Sequence, residues 1–186
     1  DFDVVALCAE AMMNRTPWRL WDLDSGEPFA QADTLEMMAV LEKGMAQSAH
    51  PHPGIVHMYI HTMEMSPMPQ RALRAADQLR RLAPEGGHLL HMPSHIYMQC
   101  GHYYDALAVS YNGTAADRKY IAYAHLGRDD RYLAACGHNF HQLMTAATYL
   151  GQYEAALYAA NAVQRLLTED MLRTDIPQLA RTLEAR

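Results

Sequence analysis

The chain has 186 residues, half of them hydrophobic and 19% charged, which fits one folded domain or one repeat array and excludes a disordered segment. A formal net charge of -6 argues against a nucleic-acid partner, whose phosphates call for clustered Lys and Arg, and no run nears the ~18 apolar residues of a membrane span. Three cysteines without a CxxC pair suit neither a disulfide framework nor a thiolate zinc site, so the uncommon features are the 11 His and 13 Met.

The first predicted element is a helix over 3–14, with Val4, Val5, Leu7, Cys8, Ala11 and Met12 on one stripe. A polar linker bearing two tryptophans follows (TPWRLWDLDSGEPF). Asp33 or Thr34 then caps a helix running to about Ser48, with Glu36 in its first turn. Residues 1–52 thus read as an irregular first helix pair. His50 and His52 stand in a Pro-rich turn, AHPHPG, and are read as surface or capping residues.

Beyond Pro53 the sequence becomes repetitive. Around Gly101 it reads GHYYDALAVSY, and around Gly151 it reads GQYEAALYAAN. In both, Gly sits two residues before Tyr and an Ala-Leu pair follows, at Ala106-Leu107 and Ala156-Leu157. A third pair, Ala72-Leu73, lies 34 residues before Ala106, and Pro84 is expected to end its helix. This G-x-Y-x-x-A-L…P signature and its spacing resemble the tetratricopeptide family. The resemblance implies an all-α fold of antiparallel helix pairs stacked as a right-handed superhelix. The portions HPGIVHMYIHTME and HMPSHIYM are also similar to bacterial tetratricopeptide-type proteins, a resemblance that implies a fold and no reaction.

In this register the repeats cover 53–86, 87–120 and 137–170. The step from Gly87 to Gly137 exceeds one period, so 121–136 is read as an insertion or an added helix. Residues 168–186 are expected to form another helix after a break near Pro177, with 171–186 as the terminal element of a single domain over 1–186. Solenoids need polar capping repeats, and neither end has one. A chain that also starts at Asp1 rather than Met is therefore expected to be a fragment of a longer array, with apolar ends that favour self-association. No signal-peptide pattern is visible, which favours the cytoplasm, but a start at Asp1 leaves the compartment open.

Numbering each repeat from its first residue places the histidines in register. His57, His91 and His141 take the fifth position, His61 and His95 the ninth, His88 and His138 the second, and Glu64 the twelfth. Steps of three and four residues return to one helix face, and in the family resembled that face of the first helix lines a concave groove. In GIVHMYIHTME the residues His57, His61 and Glu64 span an arc of about 60°, while Val56, Tyr59, Ile60 and Met63 share another side suited to packing. Pro93 interrupts the next helix, so a kink is expected between His88 and His91 on one side and His95 on the other.

Imidazole is the commonest metal ligand, and two i,i+4 pairs with a His-x-x-His pair suit a divalent transition metal. The candidate ligands are His57, His61, Glu64, His88, His91, His95, His138 and His141. One expected grouping sets His57, His61, His91 and His95 around a single ion, with His138, His141 and Glu64 completing it or forming a second site. Zinc is the first expectation, with iron or copper as alternatives, and Glu64 is the candidate general base if it is not a ligand. His102 and His125 fall off the register and are read as structural or solvated. Met63, Met65 and Met68 (TMEMSPM) resemble Met-rich copper-binding stretches but read better as helix-interface core. HExxH, GxSxG and P-loop motifs are missing. Two functions remain open: a metal-dependent protein, possible enzyme included, or a scaffold whose histidine-lined groove takes a peptide or small molecule without metal.

Overall fold

The computed structural model describes residues 1–127, 130 and 132–167. It is all-helical, with α1 at Phe2–Met13, α2 at Thr34–Gln47, α3 at Pro53–Glu64, α4 at Leu73–Leu79 and α5 at Gly87–His91. The path continues through α6 at Pro93–Gln99, α7 at Tyr103–Ala124, α8 at Tyr132–Tyr149 and α9 at Tyr153–Leu166. A 3-10 turn at Pro69–Ala72 leads into α4. The expected helix over 168–186 lies outside the described residues.

Most helices pack on elements one or two places along the chain. α1 and α2 cover α3, α3 packs on α4 and α6, α5 and α6 pack on α7, and α7 pairs with α8 and α8 with α9. The core between them contains Leu41, Ile55, Val56, Ile60, Met63, Leu79, Ile96 and Leu143, all without solvent exposure. The packing face read for α3 is thus the one that is buried, and Met63 belongs to that core.

The two G-x-Y segments form the same turn. Gly101 and Gly151 adopt φ values of 78° and 66°, in the left-handed region that favours glycine. After each, a backbone bond runs back over the helix end, from His102 N to Tyr97 O at 2.8 Å and from Gln152 N to Ala147 O at 2.9 Å. This is the Schellman closure of a helix C-terminus. Tyr103 and Tyr153 then open α7 and α9.

Three expectations change. On α1, Val4 and Leu7 are exposed and Cys8 and Ala11 face solvent, while Phe2, Val5, Ala6 and the fully buried Ala9 turn inward. The face that packs on α2 and α3 is therefore rotated: Val5 and Ala6 seat against Gly44 and Gly54, where an added Cβ would stand 3.0 and 2.9 Å from them. α4 stops at Leu79, well before Pro84. Residues 121–136 supply no separate helix among the described residues: α7 runs on to Ala124 and α8 starts at Tyr132, so the extra length extends both neighbours.

Candidate metal centre

The site begins with the entry to α3. His52 caps it, its Nδ1 accepting from Ile55 N at 3.4 Å while Nε2 meets Asp3 Oδ1 at 3.1 Å, and Pro53 fills the first helical position. With Ile55, Val56, Tyr59, Ile60 and Met63 directed into the core, His57 and His61 are left on the opposite side. The linker crosses in front of them. Trp21 donates from Nε1 to Thr62 O at 2.7 Å, and the Trp18 ring stands edge-on to His61 with centroids 6.1 Å apart.

The second group of histidines is carried by α5 and α6. Pro93 lacks a backbone donor, so the helix breaks at Met92, which keeps right-handed helical dihedrals (φ -51°, ψ -38°). The hydrogen-bond pattern changes there, and His91 still reaches His95. On the other side, α5 lies close against α7. A Cβ on Gly87 would stand 1.8 Å from Asp117 Oδ1, and one on Gly113 would stand 2.9 Å from Gly87 O. Asp117 is itself buried and accepts from Tyr132 Oη at 2.8 Å and Asn139 Nδ2 at 2.7 Å. These contacts fix α5 between α7 and α8.

The result is two triads. In the first, His57, His61 and His88 place their ligand atoms within 4.8 Å of one another, with His57 Nε2 and His88 Nε2 3.0 Å apart. In the second, three Nε2 atoms converge: His91 to His95 at 2.9 Å, His91 to His138 at 3.1 Å and His138 to His95 at 3.4 Å. Metal–nitrogen bonds of 2.0–2.1 Å in a tetrahedral site separate the nitrogens by about 3.3–3.4 Å, so the second triad is close to the span of one ion. The triads adjoin, since the His88 and His91 rings lie 6.2 Å apart.

Glu64 stands between them. His61 Nδ1 lies 2.7 Å from Oε1 and His95 Nδ1 lies 2.8 Å from Oε2, so one carboxylate orients one histidine of each triad. A neutral imidazole that donates from Nδ1 leaves the lone pair of Nε2 free to ligate. The carboxylate is buried; burial pushes its pKa up, but the His95 charge and the hydrogen bonds from His61 and His95 outweigh that and hold it well below the usual range. The end of α3 is further tied to α6 by Gln99, whose side-chain amide donates to Glu64 O.

The remaining ring nitrogens sit where protonation is disfavoured. Burial, then the His61 and His88 charges, push the pKa of His57 down to about 2. Burial, then His95 and His138, lower that of His91 well below the imidazole range. His88 keeps an edge open to solvent, and burial of the rest with the His61 charge takes its pKa to about 4. All three are therefore neutral near pH 7, the form that binds metal.

The expected ligands thus gather in a different grouping from the single quartet. His57 and His61 join His88, whereas His91 and His95 join His138. His141 belongs to neither triad among the described residues. Glu64 faces histidine Nδ1 atoms with both oxygens, at 2.7 Å from His61 and 2.8 Å from His95. His102 precedes α7, and His125 ends it in the left-handed conformation, as structural residues. Sequence reasoning missed Gly87, Gly113, Asp117 and Trp18. Only the Trp-bearing linker gave a signal, and spacing alone offers none for the others.

Two cavities flank Glu64. One of about 220 Å3 is bounded by α1, the linker and α3 and includes His57 and His61. The other, about 450 Å3, opens beside His95, Gln99 and Gln142. Comparison with known proteins brings no family-model match, no similar curated protein and no similar solved structure.

Proposed function

We propose that this is a metal-binding protein of tetratricopeptide-like architecture that holds two transition-metal ions side by side, one per histidine triad. The observation that carries the reading is the convergence of His91, His95 and His138 Nε2 within 2.9–3.4 Å, with Glu64 set behind His95. A hydrogen-bonded seam pairs nitrogens two at a time; three nitrogens aimed at one point suit a cation. Zinc or copper fits three imidazoles better than iron does, because the facial iron arrangement needs a carboxylate in direct coordination and Glu64 is engaged on Nδ1 atoms. Each triad would leave one position open for water or a small ligand, the requirement for metal-dependent chemistry.

Elemental analysis of protein purified without a histidine tag tests this. The expected result is about two equivalents of zinc or copper per chain, lost on dialysis against chelator. Metal-free protein whose stability ignores added zinc and copper would overturn it and leave the histidine face as a groove for a peptide.

A further inference from the structure

Metal binding would account for the histidines but not for the largely apolar recess beside His57 and His61. We propose that the ion held by His57, His61 and His88 takes a small monocyclic phenol through its oxygen, with the ring seated against Trp18. This rests on that triad holding an ion.

The cavity of about 220 Å3 has the His57 and His61 rings on one side. Its other lining includes Met13, Met58 and Met65 with Pro17, Trp18 and Leu20, a largely apolar surface with three thioethers. Thioether sulfur against an aromatic edge is a favourable contact, and an indole offers a face or edge to a second ring. Size limits the occupant. An apolar cavity of about 150 Å3 holds benzene, so this recess has room for a single substituted ring. Charge limits it too: the polar lining is Glu10, Asn14 and Glu64, without Lys or Arg, which disfavours phosphate or a dicarboxylate.

Trp18 is the second observation. It remains 45% exposed and adopts φ 59°, a conformation costly for a bulky side chain. Its ring stands edge-on to His61. A residue kept in an unfavourable backbone state beside a ligand face is positioned for contact with an occupant. The exchange balances without redox change. Metal-bound hydroxide accepts the phenol proton and leaves as water, and the phenolate oxygen forms the new bond to the ion.

The test uses the full chain loaded with cobalt(II), its metal content measured, titrated with phenol, cyclohexanol and inorganic phosphate while the visible cobalt bands are followed. Phenol is expected to shift the bands saturably, with cyclohexanol and phosphate at least about tenfold weaker. Trp18→Phe should bind phenol within about threefold of the parent, and Trp18→Ala about tenfold more weakly, both with unchanged cobalt content. Two bound cobalt ions without a response to phenol, equal binding of cyclohexanol or phosphate, or an unaffected Trp18→Ala variant overturns the phenol site alone. A chain that takes up no cobalt overturns the metal reading and this proposal with it.

Discussion

At the scale of single residues, Glu64 carries the most specific chemistry. Its two oxygens lie 2.7 and 2.8 Å from Nδ1 of His61 and of His95, which turns the other nitrogen of each ring, Nε2, away from the carboxylate. Glu64→Gln replaces one acceptor with an NH2 donor. One histidine must then turn its Nδ1 into an acceptor and carry its proton on Nε2, where it cannot ligate. The expected outcome is a fall from about two metal equivalents to about one, read by elemental analysis. Glu64→Ala, which removes both acceptors, should weaken both sites by about 10–100-fold. The same histidines set a pH dependence in the metal-free protein. Because His57 and His88 have folded pKa values of about 2 and about 4, below the unfolded 6.5, the unfolded chain binds more protons between those limits. Their contribution is complete above pH 6.5 and is lost as pH falls towards the folded values. Urea midpoints of chelated protein should therefore drop between pH 7 and pH 5, with the loss from the mostly buried His57 on the order of 1–2 kcal/mol. A midpoint that is flat over this range would argue that the rings are solvated and open.

At the scale of elements, the decisive fit is α5 against α7. Gly87→Ala places a methyl group inside contact distance of Asp117 Oδ1 and should cost about 3 kcal/mol or more in urea unfolding. Asp117→Ala leaves Tyr132 Oη and Asn139 Nδ2 without their buried acceptor and should cost a similar amount. Since each change relieves part of the other's conflict, the double variant should be less destabilised than the sum, which a double-mutant cycle measures. This contact was not legible in the sequence, because Gly87 and Asp117 are far apart in the chain and neither breaks a local pattern. The elements themselves were legible where periodicity and punctuation agree. The buried face of α3 follows from Val56, Tyr59, Ile60 and Met63, and the G-x-Y turns from the left-handed glycines. The histidine face was legible as a face but not as two triads. Register counting gives each histidine its position on its own helix, whereas the division depends on what packs beside α5: His88 meets His57 of α3 and His91 meets His138 of α8. The α1 stripe failed for a similar reason: Val4 and Leu7 are apolar, but Val5 and Ala6 are the residues that meet Gly44 and Gly54 of the neighbouring helices.

At the scale of the whole molecule, the triads connect segments that are distant in sequence. The first joins α3 to α5 and the second joins α5 and α6 to α8, so α5 supplies one ligand to each through His88 and His91. An ion in either triad would hold α5 more firmly in the seat that α7 and α8 give it, which would lower the ordering cost of filling the other and make loading cooperative. A stepwise zinc titration of chelated protein should show the second equivalent binding more tightly than the first. His138→Ala, which removes a ligand only from the second triad, should lower the stoichiometry to about one and also weaken the ion that remains. The linkage extends to stability. A ligand at about 100 times its dissociation constant adds about 2.7 kcal/mol, and for a chain of this size each kcal/mol moves the melting temperature by about 2–4 °C. Saturating zinc should thus raise the melting temperature by roughly 5–10 °C, with chelator reversing the shift. Hydrogen exchange would locate the gain: protection should rise in α3, α5, α6 and α8, whose side chains meet the ions, and change little in α9, which bears no ligand. Uniform protection across α9 as well would mean that zinc acts by some general effect on the fold, and independent loading of the two equivalents would mean that α5 is already rigid before either ion arrives.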